Sequence, residues 1–327
     1  MAVITFREAL RAGLDEELAR DERVFVMGED VADPMGGSYK ITLGLSTKYG
    51  PARCRNTPIS ELGIVGLAVG AAITGMRPVA EIMYVDFMGL AMDQLMNQAA
   101  LIRYMSGGQV SVPLVVRTHG GGGRSSAAQH GKNLEALFAH LPGLKMVFPG
   151  TPADAKGLLK AAVRDSSPVV FFEHNGLYNS RGEVPEGELL VPIGKADVKR
   201  PGRDVTLVTY GRMLGLCLAA ADSLAAAGVE AEVLDLRTIS PLDREAVLAS
   251  VARTHRAVVV HEANRAFGVG AEVAALLADE GFDLLDAPVR RVAAKDTPLP
   301  FAPVLERAVL PQTAEIVAAA REVCGDA

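Results

Sequence analysis

The stretch TPISELGIVGLAVGAAITGMRPVAEIM, Thr57–Met83, sets out the fold in miniature. A turn-like TPIS leads into Glu61, and from Leu62 to Met76 no charged residue follows. A run with no polar face predicts a helix buried on all sides. It is shorter than the ~20 residues a bilayer crossing needs, and glycines interrupt it, so a membrane span is not expected. RPVAEIM, Arg77–Met83, then reads as a short buried strand with one internal carboxylate, Glu81. A buried helix feeding a strand that is apolar on both faces is the unit of a parallel α/β sheet covered on both sides.

The same alternation extends outward. Phe6, Leu10, Leu14 and Leu18 recur at a helical step, and VFVMGED (Val24–Asp30) reads as a strand ending in a polar loop. Asp86–Met105 predicts one long helix. PLVVRT, KMVFP and PVVFFEH are further strands, the last two separated by the helical PADAKGLLKAAVRD. From Gly176 to Asp204 the pattern lapses into Gly, Pro and charge, a natural boundary. DVTLVTYG, GVEAEVLDLR, RAVVVHEAN and PVRRVAA then alternate with Ala/Leu-rich helices. The expected division is a first domain over 1–180, a linker over 181–203 and a smaller α/β domain over 204–327.

With 327 residues the chain suits about two domains of ~150 residues each. Apolar residues at 49% and charged residues at 22% indicate a globular chain rather than a disordered one. The net charge of −6, with Lys and Arg scattered, gives no nucleic-acid footprint, so neither nucleic acid nor membrane is an expected partner. Cys54, Cys217 and Cys324 form no C-x-x-C or metal-type spacing, and no signal peptide is visible at MAVITFREAL, which points to a reducing cytoplasm.

Ligands of such sheets gather at strand C-terminal ends, which directs attention to Glu29, Asp30, Glu81, His119, His130, and the pair His261-Glu262. Each has a plain structural alternative: a solvated loop for Glu29 and Asp30, a satisfied buried carboxylate for Glu81, a loop histidine for His130, a sheet end for His261 and Glu262. HGGGGRSS lacks the Lys and frame of a P-loop and reads as a flexible loop. FGVGAEVAALLADEG has Val273 where a dinucleotide fingerprint needs a small residue, so Gly268 and Gly270 read as a tight turn. For Glu61, Ser60 is a candidate N-cap and an acid in the first turn gains roughly 0.3–1 kcal/mol from the helix dipole. Against a purely structural role, a carboxylate at the mouth of an apolar helix calls for a bonded partner.

TPISELGIVGLAVGAAITGMRPVAEIMYVDF, DQLMNQAALIRYMSGGQ, AAQHGKNLEALFAHLPGL, PGTPADAKGLLKAAVRDSSPVVFFEH, DLRTISPLD and APVRRVAAKDTPLPFAPVLE together resemble the beta subunit of the first component of thiamine-diphosphate-dependent 2-oxo acid dehydrogenases. Members include the pyruvate, branched-chain 2-oxo acid and acetoin types. The resemblance covers nearly the whole chain. It implies a thiamine-diphosphate-binding doubly wound sheet, the pyrimidine-binding domain, followed by a transketolase-type C-terminal α/β domain. It also implies an α2β2 assembly sharing thiamine diphosphate, with magnesium held by the alpha subunit, whose Gly-Asp-Gly element has no counterpart here.

By the same resemblance Glu61 bonds the aminopyrimidine ring nitrogen, favouring the tautomer that serves as base; Met83 and Phe87 pack by that ring; and His130 handles transfer to a lipoyl group. Leu114, Ala162, Asp165 and Ser167 match the backbone ligands of a structural potassium ion in some members. Further implied partners are a lipoyl acyltransferase core component and a small 2-oxo acid or acetoin. Two departures stand out: Gly131 replaces the serine of a usual QHS, with Lys132 beside it, and His119 replaces a small residue. A split transketolase, a biosynthetic enzyme on the same scaffold, and a non-catalytic docking subunit are the competing readings. A split transketolase commonly has a D-G-x-T-H-Q loop, which AAQHGKNLEA replaces.

Overall fold

The apolar runs become strands buried along almost their whole length in the computed structural model, which describes residues 1–325. The chain forms two compact units. One comprises residues 1–120 and 137–193, the other 121–136 and 194 onward.

In the first unit the strands are β1 (Ala2–Thr5), β2 (Val24–Gly28), β3 (Cys54–Asn56), β4 (Arg77–Ile82), β5 (Val115–Gly120), β6 (Lys145–Val147), β7 (Val169–His174) and β8 (Arg181–Val184). β1 and β8 pair antiparallel. The others run parallel in the order β6-β7-β5-β4-β2-β3. Chain connections leave β2 toward β3 on one side and β4 toward β5 on the other, so the switch point, where parallel sheets bind ligands, lies between β2 and β4. The helix Phe6–Arg20 starts with a capping box: Thr5 Oγ1 accepts the Glu8 N–H at 3.3 Å, and Glu8 Oε2 accepts the Thr5 N–H at 2.7 Å. Its Phe6, Leu10, Leu14 and Leu18 enter a core with Leu158, Leu159 and Val163 of the helix Pro152–Arg164. Each such fully buried side chain stabilises the unit by about 1.5–3 kcal/mol.

The second unit holds β9 (Asp197–Arg200), β10 (Val205–Thr209), β11 (Ala231–Asp235), the short β12 (Thr238–Ser240), β13 (Ala257–Asn264) and β14 (Arg290–Ala294). Its sheet order is β14-β13-β10-β11-β9, parallel except for β9. Helices Met213–Ala225 and Thr313–Cys324 pack together, burying Leu214, Cys217, Ile316 and Ala320 in a separate core.

Three expectations change. The long helix over 86–105 is a succession of windings: a 3-10 segment Val85–Ala91, a π segment Gln94–Ala99 and an α turn Ile102–Met105. In the π segment the Ala100 N–H reaches back five residues to the Leu95 carbonyl at 3.0 Å. Gly268 and Gly270 divide: Gly268, at φ −73°, directly follows the turn Ala266–Phe267, whereas Gly270 lies inside the helix Val269–Asp279. Both are glycine because a Cβ at either position would collide with the His261 ring. The glycine-rich segment after β5 belongs to the second unit, a placement that a linear division of the chain does not capture.

Candidate active site

In the first unit, polar groups collect where β2, β3 and β4 end. Glu61 opens the helix Glu61–Ile73, just past β3. The expected cap is absent: Ser60 makes no side-chain bond to the first turn. Ser60 is exposed, so its hydroxyl is open to solvent and needs no partner in the helix. The helix is buried on one face only. Ile64, Val65, Ala68, Val69 and Ala72 face the core, whereas Leu62, Leu67 and Ile73 are 50%, 67% and 43% exposed. This corrects the expectation of all-round burial: a helix without a polar face has, within this chain, cover for half its surface.

Glu61 is half-buried and forms no hydrogen bond or ion pair with any described residue. It has acidic neighbours. Burial first, then the charges of Asp30 and Glu61, push the Glu29 carboxyl above its ordinary value. Carboxylates gathered in this way make the local potential negative, which favours N–H donors over phosphate. Glu29 was read from sequence as solvated loop; its partial burial, set by the turn after β2, leaves no signature in composition.

Met83 and Phe87 follow β4, and both are half-buried. The Ser38 hydroxyl donates to Met83 Sδ at 2.6 Å. The Phe87 N–H bonds the Tyr84 carbonyl at 2.9 Å, holding the 3-10 turn that carries the ring. Tyr84 and Tyr39 stand edge-on to the buried His119, with ring centroids 4.4 and 5.0 Å away. His119 is therefore part of an aromatic cluster at the end of β5 rather than of a loop.

Glu81 proves to be a satisfied buried carboxylate. Arg117 Nη1 donates to Glu81 Oε2 at 2.7 Å, and its Nε and Nη2 grip Glu173 at 2.7 and 3.0 Å. The Tyr178 hydroxyl donates to Glu173 Oε2 at 2.7 Å. One guanidinium between two carboxylates leaves an excess negative charge, and burial pushes the Glu81 carboxyl above its ordinary value against the opposing pull of Arg117.

Leu114, Ala162, Asp165 and Ser167 also come together. The Leu114 carbonyl accepts the Val169 N–H at 2.8 Å, joining it to the turn after the helix Pro152–Arg164. The Asp165 N–H bonds the Ala162 carbonyl at 3.2 Å, and Asp165 Oδ1 accepts the Ser167 N–H at 2.8 Å. Cations already serve this turn: Arg77 donates to the carbonyls of Val163 and Asp165, and Lys145 to Asp165 Oδ2.

His130 lies in the second unit, exposed, on the irregular segment 121–136. Glu262 and Glu306 accept backbone N–H groups of that segment. Neither role was legible: the partners are backbone amides 140 and 183 residues away in the chain. Glu135, at the segment's end, is buried and accepts from the Tyr210 hydroxyl at 2.8 Å, and burial pushes its carboxyl up to about 7. The buried His261 has no hydrogen bond on either ring nitrogen, and burial followed by the Arg291 charge lowers it to about 4. Among the described residues no group of three or more His, Cys, Asp or Glu side chains is placed to hold a metal ion, and no helix is long and apolar enough to cross a membrane.

Residues 2–181 match the family of the transketolase pyrimidine-binding domain, and residues 194–316 that of the transketolase C-terminal domain. The chain is 46% identical to the acetoin:2,6-dichlorophenolindophenol oxidoreductase subunit beta of Bacillus subtilis, over 99% of this chain and 98% of that protein. It is 47% identical to the mitochondrial pyruvate dehydrogenase E1 component subunit beta-2 of Oryza sativa, covering 98% and 86%. Among solved structures, a split-gene transketolase described as an inactive beta4 tetramer matches with a TM-score of 0.81 at 26% identity, covering 98% of both chains.

Proposed function

Because the chain belongs to the transketolase-type, thiamine-diphosphate-dependent family as a beta subunit of a 2-oxo acid or acetoin dehydrogenase, we propose that it supplies the aminopyrimidine half of a shared cofactor site. The observation that carries this reading is the state of Glu61: half-buried, at a helix start beside the sheet's switch point, with no hydrogen-bond or ion-pair partner among the described residues. Such a group fits a ring N–H donor. The neighbouring Glu29 and Asp30 reinforce the preference for a donor and disfavour the diphosphate end, which we assign, with its magnesium, to an alpha-type subunit.

Thiamine diphosphate, when bound, supplies the carbon nucleophile that the reaction needs. Glu61 holds the pyrimidine ring by a charge-assisted bond and sets the protonation of its amino group. Met83 and Phe87 give apolar walls that orient the ring and exclude water. His130 donates or accepts the proton as the acyl group passes to a lipoyl acceptor on an acyltransferase core. The exposed Leu62, Leu67 and Ile73 are proposed to be covered in an α2β2 assembly, which supplies the second half of their burial. A cytoplasmic location is in keeping with three free cysteines.

The test is reconstitution with the alpha-type chain. The expected results are cofactor binding by the pair and not by this chain alone, and turnover with pyruvate or acetoin. Glu61→Gln should leave assembly intact and lower decarboxylation by a hundredfold or more, on the order of the loss when a transition-state charge partner is removed. Near-normal turnover would remove Glu61 from the mechanism. The split-transketolase reading is favoured by the fold match, but its 26% identity stands against 46–47% for the dehydrogenase and acetoin relatives. Turnover of sugar phosphates in preference to 2-oxo acids would support it instead. Potassium at the Leu114–Ser167 turn is proposed as an accessory ligand; an unfolding temperature equal in potassium and sodium would discard it.

A further inference from the structure

The segment that carries His130 is held by two buried carboxylates of the C-terminal domain. Glu262 Oε1 accepts the Gly122 N–H at 2.7 Å and the Asn133 side-chain amide at 3.0 Å, while Oε2 accepts Arg212 Nη1 at 3.1 Å. Glu306 accepts the Gly123 N–H on Oε1 at 2.8 Å and the Ser125 N–H on Oε2 at 3.0 Å. Glu262 is 5% exposed and Glu306 3%. Backbone angles in the left-handed region at Gly123, Ser125 and Ala127 turn successive N–H groups to one side, the arrangement that normally makes a concavity for an anion. Here the anions are the protein's own side chains. His130 thus sits between two tied points, Ser125 on one side and Asn133 on the other.

We propose that Glu262 and Glu306 are positioning residues for His130: the C-terminal domain sets the place of the transfer histidine by holding the backbone amides and the Asn133 side chain of its segment. The inference rests on the transfer role given to His130 above. Two features favour positioning over stability alone. Glu306 uses both carboxylate oxygens on one three-residue arc, which fixes its direction as well as its distance. Glu262 joins the two ends of the segment, Gly122 and Asn133, so the loop's span is set by one side chain.

The experiment uses the reconstituted complex with Glu306→Gln, His130→Ala and the double variant. Glu306→Gln keeps the side chain's shape but removes one acceptor and the charge. Lipoyl-linked transfer should fall by about tenfold or more, with a smaller loss in decarboxylation measured with an artificial electron acceptor. In the His130→Ala background the same substitution should cost nothing further in transfer, because residues acting as a unit are not additive. Amide hydrogen exchange over residues 121–136 should quicken in Glu306→Gln. Additive losses in the double variant would overturn positioning and leave a stability role. Unchanged exchange would overturn the clamp itself. If His130→Ala leaves transfer intact while exchange still quickens, the clamp stands and the reading of His130 is what fails, taking the positioning role with it. Should Glu306→Gln not assemble, Asn133→Ala deletes the far tie, leaves both carboxylates in place and is read the same way.

Discussion

Glu81, near the C-terminal end of the interior strand β4, and Glu61, just past β3 of the same sheet, are treated by the chain in opposite ways. Glu81 and Glu173 are both bonded from within, by Arg117 on the strand between them and, for Glu173, also by Tyr178 just beyond β7. Glu61 has no such partner, and the helix behind it shows apolar residues to solvent. The bonds of Glu81 close inside the chain and serve the fold; the open acceptors of Glu61 are what its proposed role at the cofactor uses. Burial alone would have ranked them the other way, since Glu81 is 2% exposed.

Substitution breaks the comparison most sharply at Arg117. Arg117→Met should destabilise the first unit by about 3–5 kcal/mol, since two buried carboxylates lose their only cation. Glu81→Gln should cost less, about 1 kcal/mol, because Gln keeps an acceptor for Arg117, Glu173 still pairs the guanidinium, and one of two like charges is removed. Urea unfolding of the two variants decides it; equal losses would mean that the Glu81 bond matters to the unit as much as the cation itself.

How far these roles were legible follows from what each residue bonds to. The alternation of apolar runs marked both sheets, because burial on two faces demands it, and Glu61 stood out because a lone charge interrupts a long uncharged run. Glu81 could be seen as buried but not as paired: Arg117 lies 36 residues away, and only strand register brings the two together. The half-exposure of Glu61–Ile73 was hidden since an apolar surface awaiting another chain has the composition of a core. Glu262 was picked out only as a possible strand-end ligand and Glu306 not at all, because the backbone amides that they hold carry no sequence identity.

In the second unit two buried groups sharpen the contrast by opposing each other with pH. Below about pH 6.5 an unfolded His261 takes a proton that the native ring, held to about 4, refuses, so stability falls as pH drops through that window. Glu135 has the reverse sign. Its native carboxyl titrates near 7 and its ordinary value is 4.5, so its contribution is complete below 4.5 and is lost as pH rises to about 7. Each is worth on the order of 3 kcal/mol at full effect. His261→Phe should make unfolding less sensitive to acid between pH 4 and 6.5, and Glu135→Gln should make stability rise with pH more steeply over the same range. Parallel pH profiles for the two variants would sink the assignment.

The smallest effect is expected where a difference in sequence falls on a self-satisfied site. Gly131 stands beside His130 where a serine is usual, which invites the thought that a reacting hydroxyl has been lost. Its surroundings say otherwise: it is buried, its φ lies outside the left-handed region, and a Cβ there would lie 3.0 Å from Leu299 Cδ1 and 3.5 Å from the carbonyls of Ala127 and Gly121. Those neighbours belong to its own segment and unit. A leucine methyl can give by a few tenths of an ångström, and the added hydroxyl has two carbonyls within reach as acceptors. Gly131→Ser should therefore change unfolding stability by no more than about 0.5–1 kcal/mol, with lipoyl-linked turnover within about twofold. A tenfold gain in turnover would show that the serine position faces the acceptor rather than its own loop, and would place Gly131 with Glu61 on the open side of the comparison.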